Sequence, residues 1–271
     1  MILSAPHLTT APPKMTIHQI GERCDTVRAT STCDEGIGWQ VRPRAGRAGS
    51  GQSRSWATIK VINGIAIAVV TALAALARIW NLAEIPPGLS FDEAANILDS
   101  LRILEGGFRP IFVGNTPYGV AREAMHLYPQ ALLLKLFGED QGYIIRYASA
   151  FAGAITVPLV YALASEMFPA GLGKVGRRGF ALLSATLLAF SYWHIHVSRL
   201  GLRAGFLVPF EVATLYFLWR AARRDSPVAS LLCGSLLSLA LLSYFSARAL
   251  PLAEIPLFAA AILQRQWSAR R

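Results

Sequence analysis

The stretch from Ile59 to Leu82 reads IKVINGIAIAVVTALAALARIWNL, and it decides the class of the protein. As an α-helix with a rise of about 1.5 Å per residue it would be about 36 Å long, enough to span a bilayer with some tilt. Four basic residues precede or open this stretch: Arg44, Arg47, Arg54 and Lys60. Because cytoplasmic flanks of membrane helices are rich in Lys and Arg, we expect the N-terminal side to be cytoplasmic and Leu82 to emerge outside.

Further apolar blocks of similar length follow the first one. They cover residues 143–168, 180–197, 204–222 and 228–247, with a last block at 250–263. Hydrophobic residues make up 54% of the chain and charged residues 15%, values well above and below those of soluble domains. The sequence therefore predicts an all-α, polytopic transmembrane helix bundle with an external first loop that carries a short surface helix.

A shorter apolar block, Met125–Phe137, leaves two topologies open. If it does not cross fully, the basic loops around Lys174–Arg178 and Arg220–Arg224 are both cytoplasmic, as the excess of positive charge favours. If it is a full span, both loops lie outside. We favour the first count, because it also brings the segments HVSRLGLR (196–203) and SARALP (246–251) to the same side as FDEAANILDS (91–100).

The polar segments at the chain ends divide the sequence into three parts. Residues 1–57 are rich in Thr, Ser, Pro, Gly and Arg and are predicted to be a disordered basic tail. Residues 58–264 form the membrane module, and residues 265–271 form a basic C-terminal end. The formal net charge of +10 resides in this tail and in short loops. That distribution is typical of membrane orientation signals, so no nucleic-acid partner is predicted.

The connector at 83–124 contains a clear helix start. Ser90 followed by Glu93 is a capping box after the turn Pro86-Pro87-Gly88. A helix should begin near Phe91 and end at Gly106-Gly107. Its apolar positions recur at helical spacing, which indicates a helix lying along the bilayer surface or against the bundle: Ile97, Leu101 and Leu104.

Asp92 and Glu93 stand side by side just outside the first span. A group transfer to a hydroxyl needs a carboxylate base near the acceptor, and a helix start at the membrane surface is a fixed place to hold one. The structural alternative is that both residues simply favour the first helical turn through capping and the helix dipole.

Three arginines are candidates for binding a lipid phosphate. Arg199 and Arg203 would share one helical face if their helix continues, and Arg248 follows an apolar block. The alternative is that they anchor short loops at the interface. Arg78 and Arg146 are instead expected to extend their charged ends to the interface. His194 and His196 are expected to be interfacial or core residues.

Glu123 and His126 form an E-x-x-H pair, which is a weak signal for a divalent metal and a better one for substrate contact. No disulfide, structural zinc site or cofactor is predicted.

The ordered motifs resemble the polytopic GT-C class glycosyltransferases, specifically the family 39 group of protein O-mannosyltransferases and aminoarabinose transferases. The resemblance covers residues 59 to about 263. It rests on the first span ending RIWNL, the PPGLSFDEA connector, REAMHLYPQALLLKLFG, IRYASAFAGAITVPLVYALASEMF, SYWHIHVSRLGLR and SYFSARALP. Members of this group are usually much longer, so the resemblance also implies a truncated form.

This resemblance implies an inverting transfer of a sugar from a polyprenyl-phosphate donor to an acceptor hydroxyl outside the plasma membrane. Asp92 would be the catalytic acidic residue of the first external loop, with Glu93 its partner. Glu123 would be the acidic position before the second apolar block. The alternatives are a transporter or flippase-like protein, which should show internal repeats and polar groups in mid-span, and an inactive remnant.

Overall fold

The computed structural model describes residues 50–114, 121–138, 140–168 and 173–269. Most of the predicted basic tail, residues 1–49, lies outside these ranges. Residues Arg54–Arg271 form one compact unit, which contains the bundle and the candidate site. The helices are α1 (Ser50–Ile79), α2 (Phe91–Glu105), α3 (Leu127–Phe137), α4 (Ile145–Met167), α5 (Gly173–Ala189), α6 (Tyr192–Arg199), α7 (Ala204–Arg224), α8 (Pro227–Leu241) and α9 (Leu250–Ala269). Two 3₁₀ helices cover Gly142–Ile144 and Phe245–Ala249, and the strands β1 (Phe112–Val113) and β2 (Arg122–Glu123) pair antiparallel.

The predicted membrane bundle is confirmed. Three helical segments of the described chain are long and apolar enough to cross a membrane, namely Thr58–Ile79, Gly142–Met167 and Phe245–Leu263. The pair α5 and α6, bent by 53° at their junction, makes a fourth if it is one broken span. α8 is apolar but shorter, and α7 does not meet the same criteria of length and composition.

The long helices run between two ends of the bundle. At one end Arg199 of α6 donates to the carbonyl of Ala77 near the end of α1, and Arg146 of α4 donates to that of Leu82. We call this the connector end, because it carries the connector. At the opposite end, which we call the basic end, Trp219 of α7 donates to the carbonyl of Glu166 near the end of α4.

α3 does not cross the bundle. Leu127 at its start accepts a hydrogen bond from Ser100 of α2, and the chain returns at Arg146 to the same connector. Its 11 residues span only about 16 Å. This geometry agrees with the topology in which block 125–137 is not a full span.

α4 lies at the centre of the bundle and packs through small residues. Half of its spanning window is buried, against 6% for α1. Gly153 of α4 lies so close to Ser198 of α6 that an added Cβ would overlap the Ser198 hydroxyl. Close approach through small residues is the usual way in which membrane helices gain packing contacts.

α2 begins with the predicted capping box and ends at Glu105, with Gly106 as its C-cap, so its predicted bounds are confirmed. Its buried face, however, is polar: Glu93, Asn96, Asp99 and Ser100. The apolar side chains of Phe91 and Leu98 are exposed instead. The predicted apolar positions Ile97, Leu101 and Leu104 are half-buried, and Ile97 lies next to Gly142, so they lie between the buried polar face and the exposed side.

Candidate active site

Arg146, in the first turn of α4, fastens the connector to the bundle. Its side chain is 1% exposed, and its Nη1 donates to the carbonyl oxygens of Leu82 at 3.2 Å and Pro86 at 2.9 Å. Its Nη2 donates to the carbonyl of Gly88, and its Nε donates to Oε1 of Glu93 at 2.7 Å. One guanidinium therefore fixes the whole turn between α1 and α2.

Glu93 is the buried partner of Arg146 and is fully used by contacts within the protein. Its Oε2 accepts from the backbone N–H of Ser90 at 2.9 Å, and its Oε1 accepts from that of Gly201 at 3.1 Å. Burial alone would raise the pKa of Glu93. The hydrogen bonds from Arg146, Ser90 and Gly201 and the Arg146 charge together hold this pKa below its ordinary value. Glu93 is thus an ionised structural residue.

Gly201 joins the connector to the loop between α6 and α7. Its N–H donates to Glu93, and its carbonyl accepts from Asn96 at 3.0 Å and from Gln130 at 2.9 Å. A Cβ at this position would lie 2.7 Å from Cδ1 of Ile145, so only glycine fits without a shift. Segments from α2, α3, α4 and the 200–203 loop therefore meet at one backbone residue.

Asp92 lies next to this buried network but faces outward. It is exposed in the first turn of α2, and no hydrogen bond joins its carboxylate to the described residues. Its neighbour Glu93 contacts Gly201, two residues before Arg203. The backbone of Asp92 is therefore fixed while its carboxylate is open to a ligand.

Glu123 and Arg203 form a second polar pair at the connector end. Glu123 in β2 is 2% exposed, and its Oε2 lies 3.5 Å from Nη1 of Arg203. The Arg203 guanidinium also lies over the ring of Tyr244, 5.3 Å from its centre. The Arg203 side chain is 34% exposed, so its remaining donors can reach a ligand.

Arg199 does not stand beside Arg203 on one helical face, because α6 ends at Arg199 and α7 begins at Ala204. Arg199 donates to carbonyl oxygens at and beyond the C-terminal end of α1, including Ala77 at 3.0 Å and Ile85 at 2.8 Å. Unpaired carbonyls at a helix end need such donors, above all near a membrane. The structure therefore gives Arg199 a structural contact, and the helical face that it would share with Arg203 in a continuous helix does not form.

Arg248 lies in the 3₁₀ helix Phe245–Ala249, at the connector end. It is exposed, and its guanidinium lies over the ring of Phe245, 4.5 Å from its centre. Among the described residues, no carboxylate lies within salt-bridge distance of its guanidinium. Arg248 can therefore contact a ligand that approaches the connector end.

His126 of the E-x-x-H pair is 1% exposed and packs near Phe206, with ring centroids 6.3 Å apart. Neither ring nitrogen has a hydrogen-bond partner of normal geometry among the described residues. Burial, and then the charges of Arg203 and Arg122, lower the pKa of His126 to about 3. In the described ranges no group of three or more His, Cys, Asp or Glu side chains could hold a metal ion.

Two arginines expected to reach the interface are in fact fully buried. Arg146 holds the connector, as described above. Arg78 of α1 donates to the carbonyls of Ala74 and Ala189 and contacts Nδ1 of His194 at 2.6 Å. The carbonyl of Ala189 is free because the helix breaks between α5 and α6. The snorkelling prediction is wrong for both residues, because each finds carbonyl oxygens inside the protein. His194 is partly buried and His196 is exposed against Tyr192.

The residues missed by sequence reasoning are those of the buried network: Asn96, Gln130, Arg146 and Gly201. One signal was available for Arg146, because a charge at the edge of an apolar block requires a partner, and the acidic pair at 92–93 offers one. Asn96 and Gln130 gave no comparable signal.

An apolar groove of about 1020 Å³ runs along α4 from the connector end. α1, α3, α4 and α7 form its walls, which include Ile79, Leu133, Phe137, Phe151, Ile155 and Phe210. Its volume is at the upper end of the range of small-molecule sites. The groove can accommodate an apolar chain.

Comparison with known families gives one clear result. The model of the family described as dolichyl-phosphate-mannose-protein mannosyltransferase matches residues 122–271, which is more than half of the chain. The chain belongs to this mannosyltransferase family. Comparison with curated proteins gave no match.

Membership makes the protein a membrane glycosyltransferase of the GT-C type, as the sequence motifs indicated. The matched region contains Glu123, Arg203 and Arg248, whereas Asp92 and Glu93 precede it. The family assignment and the helix bundle thus rest on separate observations.

Proposed function

We propose that this mannosyltransferase-family protein transfers a sugar from a polyprenyl-phosphate donor to an acceptor hydroxyl at the connector end. In this proposal the connector end faces outward from the plasma membrane, and the N-terminus is cytoplasmic. The observation that carries the proposal is the contrast within the acidic pair: Glu93 is buried and paired, while Asp92 is exposed on a fixed backbone.

In the proposed reaction Asp92 is the general base. Its carboxylate takes the proton of the acceptor hydroxyl as the acceptor oxygen forms a bond to the anomeric carbon of the sugar. The bond between that carbon and the phosphate oxygen breaks, and its electrons leave with the polyprenyl phosphate. Attack from the side opposite the phosphate inverts the anomeric centre.

Arg203 and Arg248 are the proposed contacts for the leaving phosphate. Both guanidinium groups are accessible and lie against aromatic rings, which restrict their motion. Charge-assisted hydrogen bonds from a guanidinium suit the oxygens of a phosphate. Glu123 would orient Arg203, and Arg199 would act only through its contacts with the end of α1.

The apolar groove beside α4 supports a lipid-linked donor. It begins near Met125 and Gln141 at the connector end and extends along Phe151 and Ile155. A polyprenyl chain in this groove would leave its phosphate at the same end as Arg203. The acceptor hydroxyl belongs to a protein, a lipid or a glycan.

The test is a transfer assay with the protein in membranes and a radiolabelled polyprenyl-phosphate sugar. Asp92→Asn keeps the size and the capping environment but cannot accept a proton, so we expect transfer to fall by at least about 100-fold. The membrane-inserted amount should stay near that of the parent, because the Asp92 side chain has no hydrogen-bond partner in the part of the chain that the structure describes. Glu105→Gln at the exposed end of the same helix is the matched control and should keep full activity.

Transfer by Asp92→Asn within a few fold of the parent would remove Asp92 from catalysis and overturn the proposal. Movement of labelled lipid across the bilayer without any sugar transfer would favour the flippase alternative instead.

A further inference from the structure

The basic end of the bundle carries an excess of positive charge that the proposed reaction does not use. Six cationic side chains belong to it: Lys174, Arg177, Arg178, Arg220, Arg223 and Arg224. Within the same segments the acidic residues are Glu166 and Asp225. The side chains of this end therefore leave a formal surplus of four positive charges, six minus two.

Glu166, in the last turn of α4, organises three of these arginines. Its Oε1 lies 2.6 Å from Nη2 of Arg224 and 3.3 Å from Nη1 of Arg220. Its carbonyl accepts from Arg223 at 3.1 Å. Since one carboxylate neutralises one charge, this group of four residues keeps two positive charges, and the side chain of Arg224 is 51% exposed.

The start of α5 adds further cations to this end. The rings of Phe168, just after α4, and Phe180 of α5 lie 3.9 Å apart, which fixes the first turns of α5 against the end of α4. Among the described residues, Nε of Arg177 and Nη1 of Arg178 are buried atoms without a hydrogen-bond partner. Both residues are partly exposed, so a ligand can reach these two guanidinium groups only through their exposed atoms.

Helix dipoles do not cancel the surplus. Of the helices whose ends adjoin these charged side chains in the chain, α4 and α7 end here and α5 and α8 begin here. Each helix end carries a charge equivalent to about half an elementary charge, negative at the C-terminus and positive at the N-terminus. Two of each sign sum to about zero, so the side-chain charges determine the potential.

The position of the basic end relative to the bilayer indicates what it binds. Glu166 is the last residue but one of the candidate span Gly142–Met167, so the arginines lie where a membrane span leaves the hydrocarbon. Lipid headgroups occupy that level, and anionic phospholipids attract Lys and Arg there. We propose that the basic end is a binding site for the phosphate of an anionic phospholipid headgroup, held by Arg177, Arg178 and the arginines around Glu166.

The proposal is tested with the purified full chain in neutral detergent, by native mass spectrometry or quenching with labelled lipid. Phosphatidylglycerol should bind and phosphatidylcholine of the same chain length should not compete with it. Each guanidinium near the membrane surface contributes about 1 kcal/mol, or about fivefold in affinity. The double variant Arg177→Gln/Arg178→Gln should therefore bind phosphatidylglycerol about 25-fold more weakly.

The matched control removes two exposed cations from the connector end, Arg109→Gln/Lys135→Gln, with the same change in net charge. It should bind phosphatidylglycerol as the parent does. Equal weakening in the control would overturn the proposal in favour of a general charge effect. Displacement of the lipid by millimolar inorganic phosphate would overturn it in favour of a free-anion site.

A second variant moves affinity in the opposite direction, which a poorly folded protein cannot do. Glu166→Gln removes the carboxylate that neutralises one charge of Arg220 and Arg224. We expect it to bind phosphatidylglycerol about fivefold more tightly. Unchanged or weaker binding by this variant, with the parent's membrane insertion, would overturn the assignment.

Discussion

The connector end buries three of its carboxylates in ion pairs, whereas the basic end leaves its charges partly exposed and unbalanced. Three buried carboxylates of the connector end each lie against a guanidinium: Glu93 with Arg146, Asp99 with Arg122, and Glu123 with Arg203. At the basic end the carboxylate of Glu166 contacts both Arg220 and Arg224, whose side chains are each at least one-third exposed.

This difference separates two uses of charge near a membrane. A buried pair costs desolvation free energy and is strongly destabilised when one partner is removed, so it fixes geometry. An exposed cation contributes little to stability but is available to a ligand. The connector end therefore holds a precise backbone under Asp92, and the basic end presents an adaptable surface.

The largest expected effect on stability comes from breaking the best-buried pair. Arg146→Met leaves the Glu93 carboxylate buried without its partner, and we expect a loss of about 3 to 5 kcal/mol in the free energy of unfolding. Unfolding in mixed micelles with increasing denaturant, followed by circular dichroism, measures this loss.

The double variant Arg146→Met/Glu93→Gln is the control, because Gln keeps the capping box and carries no charge. It should recover part of the lost stability. A double variant less stable than Arg146→Met alone would show that the pair is not the source of the loss.

The next effect concerns the glycine at which the connector meets the bundle. Gly201→Ala places a Cβ 2.7 Å from Ile145, and overpacking of this kind costs about 1 to 3 kcal/mol. Gly234→Ala in α8, where nothing lies within 4 Å, should instead leave stability unchanged or raise it by up to about 1 kcal/mol. Equal effects of the two variants in the same unfolding assay would contradict the close packing at Gly201.

A pH series tests the buried surroundings of His126. Because its pKa of about 3 in the fold lies below the ordinary 6.5, the unfolded chain takes up a proton first as pH falls. The contribution of neutral, buried His126 to the free energy of unfolding is present above about pH 6.5 and is lost progressively below it. Between pH 7.5 and 5.5 the free energy of unfolding should fall by about 1.4 kcal/mol. His126→Leu should remove that part of the pH dependence, and an unchanged slope in the variant would contradict it.

The smallest effect is expected at the basic end. Arg224→Met removes a partly exposed contact with Glu166, so the unfolding free energy should change by less than about 1 kcal/mol. Compared with Arg146→Met in one assay, this variant measures how differently the two ends use their arginines. A loss of unfolding free energy as large as that of Arg146→Met would contradict the difference between buried and exposed arginines at the two ends.

The sequence predicted those parts of the structure that depend on neighbouring residues. Hydropathy identified the blocks that form α1 and α4 to α9, and Ser90 with Glu93 correctly marked the start of α2. Asp92 was predicted as a candidate base from its place at that helix start, and its catalytic role stays a prediction.

Contacts between distant segments could not be predicted in the same way. The helix breaks after Arg199 because the backbone of Gly201 is paired with side chains of α2 and α3, 71 to 108 positions away in the chain. The burial of the polar face of α2 could not be predicted from the sequence for the same reason. Its buried partners come from other parts of the chain, while hydrophobic periodicity reports only on the helix itself.

The contacts of Arg78 also bear on the order in which the membrane helices assemble. Its acceptor at Ala189 lies 111 positions later in the chain, so α1 enters the bilayer before that acceptor exists. Until α5 and α6 follow, we expect the guanidinium to stay at the membrane surface, where a long side chain can keep its charge in water. Cross-linking from position 78 in nascent chains that end before Ala189 tests this expectation. Cross-links to protein in place of lipid headgroups or water-exposed partners would contradict it. We therefore expect the first helix to reach its final position only after the bend between α5 and α6 has been synthesised and has supplied the Ala189 carbonyl.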